Sequence, residues 1–103
     1  MRIGIIGGLD RNAPGFATMA RAAGHEVANH DGVLAGKSSS ASLRSLVRRS
    51  DIVFIVTDVN SHNAVRKARR EAKLHHRAVR IVRRLSVAEL SAYLGAQVAP
   101  SAA

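Results

Sequence analysis

The stretch that most constrains this chain is Ile52-Val53-Phe54-Ile55-Val56-Thr57, in which every residue but Phe54 is β-branched and no charge interrupts the run. A strand of this kind does not alternate between core and solvent. It reads as covered on both faces, as strands are in a parallel sheet. Parallel neighbours need crossover connections, usually helices, so one such strand already argues for a βαβ chain. The run stops abruptly at Asp58-Val59-Asn60-Ser61-His62. Asn60 or Ser61 can cap a following helix, to which Ala64, Val65, Ala68 and Ala72 give one apolar face, and His62 then falls in its first turn. Ligands of open α/β sheets bind beyond the carboxyl ends of the strands, which makes Thr57 to His62 the first place to look for function.

The rest of the chain repeats the same unit. Arg2 to Ile6 is a short apolar strand running into Gly7-Gly8-Leu9-Asp10-Arg11. Such a turn lets backbone N–H groups approach an anion, with Arg11 adding a charge; equally, the glycines can serve only to pack a helix closely on the strand, since the full dinucleotide fingerprint is missing. Pro14 suits the first turn of the next helix, Phe16, Met19, Ala20 and Ala23 its buried face, and Gly24 its stop after Ala23. A strand over Glu26 to Asn29 then ends in His30-Asp31-Gly32, which is either a simple turn or a second contribution to the site. Lys37 to Ser42 is small and polar and is expected to form a mobile loop before a helix with Leu43, Leu46 and Val47 inside and Arg48 and Arg49 in solvent.

After the helix from Ser61 to Leu74, His75-His76 reads as exposed at its end, because adjacent residues do not share a helical metal-ligand spacing. Ala78 to Val82 is a fourth strand, Arg83-Arg84-Leu85-Ser86 a turn, and Ser86 to Glu89 a capping box opening a last helix through about Tyr93. The expected architecture is an α/β fold: a small open four-stranded parallel sheet, Rossmann-like or flavodoxin-like, in the order 2-1-3-4 with helices on both faces. A single domain over residues 1–94 with a disordered tail over 95–103 completes the expectation. So small a sheet has edges to cover, and a homodimer would cover them.

Function classes are narrowed by charge and by cysteine. Sixteen Lys and Arg against seven Asp and Glu give a formal charge of +9, a field that favours phosphate, propionate or nucleic acid. Nucleic acid fits least well: Arg66, Lys67, Arg69, Arg70 and Lys73 cluster on one helix, but no aromatic stacking platform or reading motif accompanies them. With no cysteine there is no disulfide, thiolate ligand or thiol nucleophile, and histidine is the chief candidate for a soft metal. No apolar run approaches a membrane span and no signal peptide is expected, which points to a cytoplasmic protein. Ser61 beside His62 in sequence is a poor nucleophile and base pair, and no paired carboxylates are evident, so no catalytic residue is expected.

Taken together, Gly7-Gly8, His30-Asp31-Gly32, Thr57-Asp58, Ser61-His62 and Leu85-Ser86 resemble the bacterial family called domain of unknown function 2325, over about residues 1 to 92. The chain departs from that family in lacking a cysteine near Ala72. The resemblance implies a heme-binding module that takes dioxygen or another diatomic gas for sensing or storage, with heme b as cofactor and His62 as the metal ligand. The cofactor-binding set that goes with it is Gly7, Gly8, Leu9, Arg11, His30, Asp58, Asn60, Ser61, Lys67, Arg83 and Arg84. A heme needs an available imidazole, an apolar slot and cations for two propionates. The residues themselves leave His62 open as a ligand or as a helix-orienting group bonded to Asp58 or Thr57, and leave a phosphate or nucleotide regulatory module open as the alternative function.

Overall fold

The computed structural model describes residues 1–8, 12–34, 37–58 and 60–98. Its elements alternate strictly: β1 (Arg2–Ile6), α1 (Ala13–Ala22), β2 (Glu26–His30), α2 (Lys37–Arg49), β3 (Ile52–Val56), α3 (His62–Leu74), β4 (Ala78–Val82) and α4 (Val87–Val98). The strands form one parallel sheet in the order β2-β1-β3-β4, as the sequence implied. β3 is buried along its whole length because helices cover both faces of the sheet where it lies. Each of its Ile, Val and Phe side chains contributes about 1.5–3 kcal/mol by leaving water.

Period-two alternation sorts the core into two layers. Ile3, Ile5, Ile52, Phe54 and Val56 face one way and pack against Phe16 of α1 and Leu90 and Leu94 of α4. Ile6, Val53 and Ile55 face the other way, against Leu43, Leu46 and Val47 of α2 and Ala64, Ala68 and Ala72 of α3. The alanine stripe lets α3 lie close on the sheet. Gly4 does the same for α2, since a Cβ there would run into Leu46 and Ser50. Ser50 is the polar residue buried at this contact, and its hydroxyl donates to the Leu46 carbonyl at 2.6 Å. On the α4 side, Tyr93 meets Phe54 edge-on with ring centroids 5.1 Å apart, and Arg80 lies 4.9 Å from the Tyr93 ring centre.

Two boundaries differ from expectation by more than one residue. The serine-rich stretch expected as a mobile loop is the first part of α2, which begins at Lys37. Its early start places the Ser39 carbonyl where the His30 ring can donate to it at 3.0 Å, so a tertiary hydrogen bond outweighs the weak helix propensity of serine. The last helix continues beyond Tyr93 to Val98, because Leu90 and Leu94 are both buried and hold it on the sheet. Residues 99–103 of the expected tail lie outside the described residues.

Candidate functional site at the carboxyl edge of the sheet

The carboxyl ends of β1, β2 and β3 are tied together by side chains that looked like ligands in the sequence. Asn60 is the hub. Its Nδ2 donates to the Ile6 carbonyl at 3.2 Å and the Val56 carbonyl at 2.8 Å, while its Oδ1 accepts from the Ser61 N–H at 2.9 Å. Ser61 Oγ accepts from the Ala64 N–H at 3.1 Å, capping α3, and donates to the Gly32 carbonyl at 2.6 Å. Gly32 has φ +81°, and a Cβ there would collide with Asn60 Oδ1, so only glycine fits beside the hub.

His30 belongs to the same knot. A backbone N–H always donates, so the 3.0 Å contact from Gly32 N to His30 Nδ1 makes Nδ1 the acceptor and assigns the hydrogen to Nε2, which donates to Ser39 O at 3.0 Å. Both ring nitrogens are therefore engaged. Gly7, with φ +89°, donates its N–H to the His30 carbonyl at 2.8 Å, which commits that amide to joining β1 and β2.

On the other face of the sheet the edge is open. A crevice of about 410 Å³ is lined by Gly8, Asn12, Val56, Asp58, Arg83, Arg84, Leu85, Ser86 and Glu89. Gly8, at φ +87°, continues the left-handed turn begun at Gly7 and lies against the buried Val56 at the floor of the crevice. Asp58 closes one wall: its Oδ2 accepts from Arg84 Nε at 2.9 Å and its Oδ1 from Arg83 Nε at 3.5 Å. The Arg84 hydrogen bond, with Arg83 beside it, holds the Asp58 carboxyl below the usual carboxylate range against the opposing effect of partial desolvation. Both guanidinium groups are largely exposed and can turn toward an anionic ligand. A hollow of about 620 Å³ by Arg2, His25, Arg49 and Ser50 lies at the opposite, amino edge, away from the strand ends where α/β sheets bind ligands.

His62 stands apart from both arrangements, exposed at the start of α3 and outside the crevice lining. Among the described residues nothing hydrogen-bonds its ring, neither Asp58 nor Thr57. Lys67, five residues on, faces a groove of about 780 Å³ shared with Leu34, Ser40, Asn63, Arg66 and Arg70. The expected set thus divides in three: Gly7, His30, Asn60 and Ser61 in the knot, Gly8, Asp58, Arg83 and Arg84 at the crevice, and His62 with Lys67 along α3. Leu9 and Arg11 lie outside the described residues. Asn12, Leu85, Ser86 and Glu89 were missed as lining residues; the one sequence signal for them was the Ser86 to Glu89 cap. That cap forms, with Ser86 Oγ accepting from the Glu89 N–H at 3.1 Å and lying 3.1 Å from Glu89 Oε1, and it brings the start of α4 against the crevice. No three His, Asp or Glu side chains converge as a metal cage among the described residues, nor is any described helix long and apolar enough to cross a membrane.

Residues 2–97 match the family described as an uncharacterized protein conserved in bacteria, DUF2325, and the chain belongs to that family. No curated protein and no solved structure matches it.

Proposed function

We propose that this member of the family is a cytoplasmic heme-binding module, in which His62 would hold the iron of heme b, and that it works as a homodimer in binding a small gaseous ligand. The observation that carries this reading is the contrast between the two histidines of the carboxyl edge. His30 has both ring nitrogens engaged, whereas the His62 ring is exposed with no described partner. The donor set suits a heme better than a bare ion. A lone imidazole cannot cage zinc, but it can complete a metal that arrives with four porphyrin nitrogens. Lys67 and Arg66 follow on the same helix as cations for propionates, and Leu34 supplies apolar surface in the adjoining groove. That groove is open in a single copy, so the slot for the macrocycle would need a second wall, which a homodimer could supply. A heme bound there would supply the iron that takes up the gas. A binding role rather than catalysis is favoured because the Ser61 hydroxyl is spent on capping α3 and on Gly32.

The test is the visible spectrum after reconstitution with heme. The wild type and His30→Ala should show a Soret band, and His62→Ala should lose it. A wild type that takes up no heme, or a His62→Ala variant with an unchanged band, overturns the reading.

The open crevice favours a second reading, a module for a phosphate-bearing ligand. Gly8, Asn12, Ser86 and the two arginines surround it with donors, and Val56 and Leu85 offer an apolar surface for the body of a nucleotide. Under this reading the protein is colourless, and nucleotides or inorganic phosphate raise its melting temperature in a way that Arg84→Ala removes.

A further inference from the structure

Among the described residues β4 has one strand partner, β3, and its other edge is open. The side chains of Val79 and Ile81 stand on the α3 face of the sheet, in register with Val53 and Ile55, but α3 does not reach over them. They remain 36% and 49% exposed, apolar surface that a lone chain would leave in water. The same two residues present the unpaired backbone. The Val82 carbonyl accepts from the Thr57 N–H across the β3 pairing, so alternation along the strand turns the amides and carbonyls of Val79 and Ile81 outward. A groove of about 740 Å³ runs beside them, and its remaining lining is cationic: Arg69, Arg70, Lys73 and Arg77. Arg77 is fixed there by donating to the Arg48 carbonyl at 2.7 Å.

From this we propose that β4 is a docking edge for an extended acidic segment of a partner protein, added as a fifth strand with apolar side chains over Val79 and Ile81 and carboxylates on the opposite face toward Arg80, its overall negative charge drawn by the cationic rim. Strand addition satisfies the open backbone, and alternation in the partner matches the two faces it meets: the apolar surface on one and Arg80 on the other. Charge selects this occupant over a second copy. A two-fold antiparallel pairing centred on Arg80 would set Arg80 against its own counterpart and double the cationic rim, and like charges directly opposite destabilise a sheet. The proposal does not depend on heme or on the crevice.

The experiment is fluorescence anisotropy of a labelled synthetic peptide alternating glutamate and valine, titrated with the full chain at two salt concentrations. The peptide should bind, more weakly at higher salt, and its lysine-for-glutamate counterpart should not. Ile81→Asp should weaken binding by about tenfold or more, the scale on which losing one interface anchor is felt, with the circular dichroism spectrum unchanged since the side chain is half exposed. Arg70→Glu should weaken it and reduce the salt dependence. Methylation of the peptide amides that face β4 should abolish binding. Equal binding of the lysine peptide, or indifference to Ile81→Asp or to amide methylation, overturns the proposal. So does a concentration-dependent dimer that Ile81→Asp dissolves, because the occupant is then a second copy. Binding of anionic vesicles or duplex DNA without binding of the peptide overturns it as well.

Discussion

The β2 end and the β4 end of the carboxyl edge both gather polar side chains and put them to opposite uses. Around β2, the groups of His30, Gly32, Asn60 and Ser61 are spent on one another and on neighbouring backbone. Around β4, Asp58, Arg83 and Arg84 meet over a crevice with their outer faces in water. The difference teaches that a His, Asn or Ser at a strand's carboxyl end is informative about ligands only once its hydrogen bonds have been traced. Groups already saturated by backbone partners brace loops, and groups left with spare capacity can recognise a ligand.

Substitutions should separate the two ends by size of effect. Gly32→Ala should be the most damaging, about 3 kcal/mol or more in urea denaturation, because it adds a collision with Asn60 to an unfavourable φ. His30→Ala should cost about 2 kcal/mol by removing the acceptor for Gly32 N and the donor to Ser39 O from a half-buried position. His62→Ala should change stability by less than about 0.5 kcal/mol, as exposed substitutions do, although the heme reading depends on it. A His62→Ala loss as large as that of His30→Ala would erase the contrast between bracing and free histidines. Asp58→Asn should have a small effect that is fully present at neutral pH and shrinks in acid. Its depressed carboxyl contributes stability that is present above the ordinary value of about 3.8 and is lost as pH falls through the lower folded value. The variant should therefore unfold with a flatter dependence on pH below about 4, and an unchanged acid limb would show that the arginine pair does not hold Asp58.

Which parts of this were legible beforehand follows from where the signal is carried. The β-branched run at Ile52 to Thr57, interrupted only by Phe54, the Ala64, Ala68 and Ala72 stripe and the Ser61 cap are local patterns, and from them came the parallel sheet, its order and the position of α3. The early start of α2 was not legible because it depends on His30 reaching Ser39 from another element. The roles of Asn60 and Gly32 were hidden for the same reason: an Asn that bridges Ile6 and Val56 looks in sequence like any helix-flanking Asn. His62 and His30 were indistinguishable as ring types and became distinct only through their partners. The crevice was half legible, through Asp58, Arg83 and Arg84, while Asn12 and Glu89 enter it only because α1 and α4 share one face of the sheet.

The central place of β1 in the sheet also has a kinetic meaning. Its inner edge pairs with β3, a contact that includes the Arg2 N–H donating to Asp51 Oδ2 across 49 residues of sequence. Half of the hydrogen bonding of β1 therefore waits on the later half of the chain. During synthesis the β1-α1-β2 unit would emerge with an apolar strand edge unpaired until β3 follows, and closing that long loop is the slow, entropy-limited step on which folding should turn.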